Sequence, residues 1–393
     1  MRRIPSSSLL PVALLLLGLP GCSTISGWFG SSAPKVKPAE LVEIKPTATL
    51  TRIWDAGVGS GGPYPFTPGS DGQAVYAAGK DGRLVKLDLA SGRELWRVET
   101  GKPLSAGVGV GADLVLVGTP KGELLAYRVG DGQAAWSAQL SGEIMVPPVA
   151  GAGVVAARGS DGKVWLLNAS DGKQRWVYSR SLPSLTLREP GYLMMTDRVV
   201  FAGHAGGRLT ALSLANGAPL WEANVALPRG ATELERIADV SGTLALDDQM
   251  ICAAAYQGRV ACFDRVSGTQ GWSRDFSALR GVDMDSRHVY AVDEAATVQA
   301  FERRRGVSPW KQDKLRDRRL SSPLAQGLYV AVGDYQGYVH LLDPETGAFA
   351  ARVATDGSAI HAPMLPLNKG LIVQTANGGV YAFRMQGSGI RDQ

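Results

Sequence analysis

The feature that most constrains the fold is an internal repeat, because the sequence returns to one pattern after roughly forty residues. Tryptophan marks most copies, at Trp54, Trp96, Trp136, Trp176, Trp221, Trp272 and Trp310. Each of the last six lies four residues after a glycine, and these glycines are Gly92, Gly132, Gly172, Gly217, Gly268 and Gly306. An eighth copy follows Gly347, but Ala351 stands at its tryptophan position. Such a repeat favours one array of similar units over several unrelated domains.

Every copy also contains an earlier turn between two apolar runs, which is typical of a β-hairpin. The eight turns lie at residues 81–82, 121–122, 161–162, 206–207, 257–258, 295–296, 336–337 and 377–378. One copy divides into four short strands, at residues 105–110, 114–119, 123–129 and 134–140. Four strands per copy are typical of a propeller blade. The sequence therefore predicts an all-β fold, an eight-bladed β-propeller with four antiparallel strands per blade.

The two ends of the chain supply what the last copy lacks. That copy runs through residues 371–385 and stops before the glycine and tryptophan of an outermost strand. Residues 51–54 supply a tryptophan, Trp54, with no repeat before it. We expect this segment to pair with the last copy and close the ring. We interpret the tryptophans as packing residues between blades, and we expect the blade contact at Ala351 to be the weakest.

The first residues predict export and a lipid anchor. Residues 1–21 combine Arg2 and Arg3 with an apolar run at 9–19, the pattern of a signal peptide. Residues 19–22, Leu-Pro-Gly-Cys, resemble a bacterial lipobox, which implies lipidation of Cys22; a plain secreted protein is the alternative. Ser23 after that cysteine implies the outer membrane of a Gram-negative bacterium. We expect a flexible tether at residues 22–46, the propeller at 47–386 and a tail at 387–393.

Two cysteines remain in the body of the protein, and they flank one of the repeated turns. Cys252 and Cys262 lie almost symmetrically about residues 257–258, so they could face each other on neighbouring strands. An oxidising periplasm would permit a disulfide between them. Two buried free thiols are the alternative, because their positions are off by one from ideal pairing across a two-residue turn.

The sequence contains no pattern of catalytic, cofactor-binding or metal-binding residues that we can identify. Its four histidines, at positions 204, 288, 340 and 361, are scattered without ligand spacing, and no nucleotide or nucleophile motif occurs in context. The formal net charge of +5 falls to +3 without Arg2 and Arg3. The arginine clusters at 303–305 and 316–319 are interpreted as solvated loops. We therefore expect no enzyme activity, no cofactor and no nucleic-acid partner.

The repeats resemble those of pyrroloquinoline quinone dehydrogenases, through the pattern Asp-x-x-[ST]-Gly-x-x-x-Trp at residues 88–96 and 264–272. Those enzymes are longer and hold quinone and calcium through adjacent cysteines and clustered acidic groups, and this chain has no adjacent cysteine pair. With its lipoprotein leader and eightfold repeat, the chain resembles the outer-membrane β-barrel assembly factor B (BamB) family over nearly its full length. The tryptophan spacing widens after Trp176 and again after Trp221, and the longer stretches contain motifs similar to that family's.

Two such motifs are implied to bind a partner. Residues 182–188 are similar to the family's loop that docks on the POTRA domains of the central barrel-assembly protein, and Leu185, Leu187 and Arg188 match its contact residues. An ordinary buried strand is the alternative for this segment. Residues 229–241 resemble the other interface loop, where Asp239 matches an acidic residue and Ser241 replaces a second acid.

The resemblance implies a non-enzymatic scaffold lipoprotein on the periplasmic face of the outer membrane. Its implied partners are the central barrel-assembly protein, the other lipoproteins of that machinery and unfolded outer-membrane proteins. Outermost blade strands are a second candidate surface for such clients, by strand addition. A small quinone-dependent dehydrogenase and a periplasmic ligand-binding propeller remain the alternatives.

Overall fold

The computed structural model describes residues 37–189 and 191–387, so the predicted leader, Cys22 and residues 388–393 lie outside the described part. A compact unit begins at Pro38. The regular structure of the described residues consists of 32 strands in eight four-stranded antiparallel sheets. This confirms the predicted eight-bladed β-propeller. In the described part, no helix is long and apolar enough to cross a membrane.

Blades 1 to 7 each use four consecutive strands, and blade 8 combines the last three strands with the first. Blades 1 and 2 contain β2 (Gly69–Ser70), β3 (Ala74–Ala78), β4 (Arg83–Asp88), β5 (Glu94–Glu99), β6 (Gly109–Gly111), β7 (Leu114–Gly118), β8 (Glu123–Arg128) and β9 (Ala134–Gln139). Blades 3 and 4 contain β10 (Val149–Gly151), β11 (Val154–Arg158), β12 (Val164–Asn168), β13 (Gln174–Tyr178), β14 (Leu193–Met195), β15 (Val199–His204), β16 (Arg208–Ser213) and β17 (Pro219–Asn224). Blades 5 and 6 contain β18 (Ala245–Leu246), β19 (Met250–Ala254), β20 (Arg259–Asp264), β21 (Gln270–Asp275), β22 (Val282–Met284), β23 (His288–Val292), β24 (Val298–Glu302) and β25 (Lys311–Gln312). Blades 7 and 8 contain β26 (Leu324–Gln326), β27 (Tyr329–Gly333), β28 (Tyr338–Leu342), β29 (Phe349–Ala354), β30 (Leu365–Leu367), β31 (Gly370–Gln374), β32 (Gly379–Gly387) and β1 (Ala48–Gly57).

Burial changes regularly across a blade. The first strands of successive blades contact one another: β6 contacts β10, and β10 contacts β14. These first strands therefore form the inner wall of the ring. Second strands such as β7 are buried at every residue, whereas fourth strands such as β9 alternate between exposed and half-buried residues. Strands that are covered on both faces consist of continuous apolar runs, whereas strands at the edge of a blade alternate between apolar and polar residues, and the burial pattern follows this rule.

Each tryptophan fastens its blade to the next one. The Trp272 indole donates through Nε1 to the Arg303 carbonyl, at 2.7 Å, in the turn between β24 and β25. Gly306 in that turn has a φ of 64°, and a Cβ built on it would lie 2.4 Å from the indole. Only glycine therefore fits under the ring. The same pairing of indole and glycine recurs at all seven tryptophans of the repeat, which explains why the glycine and the tryptophan recur together in the sequence.

Pairing of β1 with β32 closes the ring. The register runs from Ala48 opposite Gly387 to Gly57 opposite Gly379, so the terminal segments complete blade 8 as predicted. The strands begin and end close to the predicted limits of 47–386.

The predicted tether is too long at its C-terminal end. Ala39 donates its backbone N–H to the Arg316 carbonyl at 2.9 Å. The Arg318 guanidinium donates to the Ala39 carbonyl, and that of Arg352 to the Val42 carbonyl, both at 3.0 Å. Leu41 packs against the apolar core between blades 6 and 7. Residues 38–47, which we call the strap, therefore lie on the propeller. These contacts left no sign in the sequence because the segment lacks periodicity and most of the contacts use its backbone groups.

The two cysteines of the propeller form a disulfide. Cys252 on β19 lies directly opposite Cys262 on β20, with their Cα atoms 4.1 Å apart. The connection between these strands has three residues, 256–258, since Ala255 donates its N–H to the Arg259 carbonyl at 2.9 Å. The off-by-one argument for free thiols assumed a two-residue turn, and the longer turn removes it.

Candidate protein-binding loops

Both predicted binding segments connect the fourth strand of one blade to the first strand of the next. Residues 179–192 join β13 to β14, and residues 225–244 join β17 to β18. Because the strands of a blade are antiparallel, all such connections lie at one end of the ring. The two loops contact each other, since Tyr192 donates its N–H to the Gly242 carbonyl at 2.9 Å. They therefore form one continuous surface.

The first loop exposes the residue types expected at a binding hot spot. Leu185 is 46% exposed, Leu187 is half-buried, and the Arg188 side chain is 70% exposed. Leu182, at 43%, adds a further apolar side chain to this surface. Residues 182–188, all of them described, contain no strand, so the alternative of an ordinary buried strand does not apply to them. Leu185 and Arg188 are accessible to a partner.

Asp239 lies inside the molecule, where it fixes the first loop. It is 5% exposed, and its carboxylate accepts the N–H of Leu187 at 2.7 Å and of Gly206 at 3.0 Å. A direct contact with a partner would cost these two charge-assisted hydrogen bonds. We therefore correct its expected role from contact residue to positioning residue.

The buried charge of Asp239 has a buried counterpart in Arg158. Burial lowers the pKa of Arg158 to about 10, and the negative charge of Asp239 opposes that effect. The Arg158 guanidinium donates to the Gly203 carbonyl. Ser241, where the family carries a second acid, is also buried and donates to the Leu279 carbonyl at 2.9 Å. The base of both loops is thus a polar, hydrogen-bonded core.

The second loop presents a leucine that sequence reasoning did not identify. Glu235 accepts the N–H groups of Ala231 at 2.8 Å and Thr232 at 3.1 Å, while the Thr232 hydroxyl accepts the Glu235 N–H at 3.3 Å. This reciprocal capping orders a single helical turn. Leu234 lies on that turn and is 65% exposed. The signal in the sequence was the Thr-x-x-Glu pattern at 232–235.

Arg188 also reaches towards the centre of the ring. Its Nη2 atom lies 3.1 Å from Glu143 Oε2, and the Tyr64 hydroxyl donates to Glu143 Oε1 at 2.8 Å. Burial, with the hydrogen bond to Glu143, raises the pKa of Tyr64. These three residues come from blades 1, 3 and 4, and nothing in the sequence pattern links them. They were not predicted.

The histidines and acids that the structure describes do not assemble into a metal site. Within residues 37–189 and 191–387, no group of three or more His, Cys, Asp or Glu residues could hold a metal ion. His204, His288 and His340 lie on strands of three different blades, and His361 lies in the connection from blade 7 to blade 8. Burial lowers the pKa of His204 well below its ordinary value, and that of His340 more modestly against the opposing effect of Asp334.

Comparison with known proteins relates the chain to one family. A family model described as outer membrane protein assembly factor BamB matches residues 80–312 and 297–391. The protein of that name from Bordetella pertussis is 40% identical over 370 residues, which cover 94% of this chain and 95% of that protein. Its namesake from Burkholderia pseudomallei is 41% identical and covers 88% of this chain and 91% of its own length.

Solved structures agree with the sequence relatives. The crystal structure of BamB from Moraxella catarrhalis matches with a TM-score of 0.79 and 26% identity, over 86% of this chain and 100% of that one. A quinohemoprotein alcohol dehydrogenase from Comamonas testosteroni matches with a TM-score of 0.68 over 88% of this chain and 77% of its own, but at 14% identity it shares only the fold. The protein described here therefore belongs to the BamB family of outer membrane protein assembly factors.

Proposed function

We propose that this protein is a non-enzymatic scaffold lipoprotein of the outer-membrane β-barrel assembly machinery. In this role it binds the POTRA domains of the central assembly protein and promotes insertion of β-barrel proteins into the outer membrane. The observation that supports it most directly is the loop at residues 182–189, whose exposed Leu185 and Arg188 are held in place by the buried carboxylate of Asp239.

The chemistry of this loop suits a small protein-binding hot spot. An exposed leucine supplies apolar area, and a planar guanidinium supplies several hydrogen-bond donors. The loop is ordered before binding, because Asp239 fixes its backbone at Leu187. A preformed loop loses less conformational entropy on association than a flexible one. Loops on a rigid ring are accordingly well placed to bind a partner domain.

The proposed attachment to the membrane depends on Cys22 and the strap. A lipidated Cys22 would hold the protein at the periplasmic face of the outer membrane, with the chain joining the propeller at Pro38. More than one acyl chain makes such an anchor stable. Labelling with a clickable fatty acid tests this step: we expect incorporation in the wild type and none in Cys22→Ala, and an unlabelled wild type would contradict it.

Partner binding is tested by comparing an exposed leucine and an exposed arginine at one end of the ring with the same residue types at the other end. Leu185→Ala and Arg188→Ala should each weaken binding to a purified POTRA fragment by about tenfold or more, the scale of hot-spot residues. Leu328→Ala and Arg304→Ala are the controls, because Leu328 is 62% exposed in the turn between β26 and β27 and Arg304 is exposed in the turn between β24 and β25. Wild-type affinity in both loop variants would overturn the site assignment.

Asp239 allows a separate test of the positioning role. Asp239→Asn keeps the shape of the side chain but removes its charge, so the Leu187 N–H should exchange with solvent faster while Leu185 and Arg188 remain present. We expect weaker POTRA binding together with faster exchange. Unchanged exchange at Leu187 would show that the carboxylate does not order the loop.

A second candidate surface is the outer edge of the blades. The fourth strands, such as β5 and β9, pair on one side only within the described part, so their outer edges offer backbone groups to an extended chain. Strand addition at such an edge would bind unfolded outer-membrane proteins without a side-chain signature. Photocrosslinkers placed on β9 should trap a client, and those placed on β7, which is buried, should not. Labelling of neither strand would count against this surface.

A further inference from the structure

A small pocket opens beside Arg188 at the mouth of the ring. Its volume is about 150 Å³, and its walls include Tyr64 and Pro65 before β2, Met145 and Val146 before β10, and Arg188 and Tyr192 before β14. Three separate interblade connections, from three different parts of the sequence, therefore build one concave site. It adjoins the proposed binding loop, because Arg188 belongs to both.

The walls of this pocket are fixed by hydrogen bonds across the ring. The Tyr192 hydroxyl lies 3.1 Å from the Thr67 hydroxyl oxygen, which ties blade 4 to blade 1. Tyr64 is held by Glu143, whose own N–H donates to Ser160 Oγ at 3.0 Å. Ser160 donates its N–H back to the Glu143 carbonyl at 2.8 Å. The pocket is thus present before any partner binds, as expected of most ligand-binding concavities.

The size and walls of the pocket suit an aromatic ring. A cavity of about 150 Å³ lined by apolar side chains accommodates benzene in other proteins. Here Tyr64, Tyr192, Pro65 and Met145 line a space of that volume. Glu189 also lines the pocket, and its carboxylate is paired with Arg280 at 2.9 Å. Aromatic rings pack favourably against one another edge to face, and against methionine sulfur.

Arg188 adds a polar requirement at the rim. Its side chain is 70% exposed, and its hydrogen bonds to Glu143 both start from Nη2. The remaining N–H groups of this exposed guanidinium can donate to a further carboxylate. A ligand that fills the pocket would place its neighbouring groups beside these donors.

We propose that this pocket receives a phenylalanine- or tyrosine-sized side chain of the partner protein, and that a carboxylate next to that side chain pairs with Arg188. The inference rests on the proposed POTRA binding and identifies a specificity pocket within it. It also extends the interface from blade 4 across the mouth of the ring to blades 1 and 3.

The first test observes the wild-type pocket directly. An aromatic ring inserted beside Met145 shifts the resonance of its methyl group upfield by the ring current. With methionine methyl groups labelled by carbon-13, addition of the POTRA fragment should shift Met145 and leave Met364, in the core between blades 7 and 8, unchanged. Met145→Leu identifies the signal. An unshifted Met145 at saturating POTRA would overturn the proposal.

The second test fills the pocket. Met145→Trp should lower POTRA affinity by about tenfold or more, as blocking a hot-spot pocket does, while the protein still unfolds in one cooperative transition. On the partner side, replacing its exposed aromatic residues one by one with alanine should identify one whose loss is no longer additive with Met145→Trp. Additive losses for every aromatic residue would contradict the assignment.

The outcomes separate this inference from the proposed function. If Leu185→Ala and Arg188→Ala weaken binding while the Met145 resonance does not shift and Met145→Trp binds normally, the loop is the interface and the pocket proposal is wrong. If none of these variants affects binding, both fail. A Met145 shift that appears when the protein alone is concentrated would mean that a second copy of this chain occupies the pocket, which also contradicts the proposal.

Discussion

The contact between blades 7 and 8, the closing contact, differs from the other seven blade contacts. Each of the seven places an indole on a glycine turn of the next blade, whereas the closing contact has Ala351 at that position. Blade 8 has no such turn, because its third and fourth strands, β32 and β1, come from opposite ends of the chain. The tryptophan is therefore missing where the glycine that would receive it is also missing.

Longer strands and a larger apolar cluster take the place of that indole. β1 has 10 residues and β32 has 9, and their outer ends bring Leu50 and Met385 into the buried cluster around Ala351. This cluster contains more buried residues than any of the other seven formed by the described residues. The expected weakness of the closing contact stays a prediction, but the packing argues that it is filled in a different way.

The strap reinforces the same side of the ring through buried charge. Asp334 accepts from the Arg318 guanidinium at 2.7 Å and lies 3.0 Å from His340 Nε2. His340 Nδ1 accepts from Arg352 Nε at 3.1 Å, so its proton lies on Nε2 and donates to Asp334. The two arginines then bind the strap carbonyls of Ala39 and Val42. The comparison suggests that the closing contact depends on the N-terminal segment, and the seven others on local tryptophans.

Removing the N-terminal segment should have the largest effect. A chain that starts at residue 58 lacks β1, so β32 keeps only its pairing with β31 and the cluster around Ala351 loses Leu50 and Ala48. We expect no cooperative unfolding transition by circular dichroism. A chain that starts at Pro38 is the control and should unfold like the wild type. A cooperative transition at the wild-type temperature in the shorter chain would refute closure by β1.

Removing the tryptophan from one of the other seven blade contacts should lower stability strongly, but without loss of the fold. Trp272→Ala removes a buried indole between blades 5 and 6 and should lower the free energy of unfolding by about 3–5 kcal/mol. Urea denaturation measures this loss. Val266→Ala is a control, because Val266 is 78% exposed in the same blade. Equal stability of the two variants would mean that the indole does not fasten the blades.

A tryptophan placed at the closing contact should destabilise it. Ala351 is 4% exposed and the space beside it is occupied, so Ala351→Trp should cost about 1–3 kcal/mol through overpacking. The opposite result, an increase in stability, would show that the closing contact is underpacked and support the expectation that it is the weakest. The same urea measurement decides between them.

Most of the fold could be predicted because it is repeated. Eight copies of one turn specify eight blades, and the unmatched Trp54 specifies how they close. The strap was missed because its main contacts use the backbone carbonyls of Ala39 and Val42, which leave no pattern of side chains. The sequence could not decide the register of the disulfide, because the turn length depends on Gln257. This residue has a φ of 48°, and a positive φ is uncommon for residues other than glycine.

The binding surface was predicted only in part. Leu185 and Arg188 are exposed as the family resemblance implies, but burial of Asp239 could not be read from an acidic residue in a loop. The pocket beside Arg188 combines residues more than 70 positions apart, such as Tyr64 and Met145, and each looks ordinary in its own segment. Only the closed ring brings them together.

The smallest effect on stability should come from loosening the strap. Arg352→Met keeps the apolar part of the side chain but removes the hydrogen bonds to Val42 and His340, which should cost about 1–2 kcal/mol. The effect should be local: residues 38–46 should become sensitive to protease while the core transition moves little. Arg384→Met is the control for loss of an arginine, because Arg384 is an exposed residue of β32 outside the strap. If the strap stays protected in Arg352→Met, apolar packing of Leu41 holds it, and the N-terminal segment fastens the closing contact without help from the buried charges.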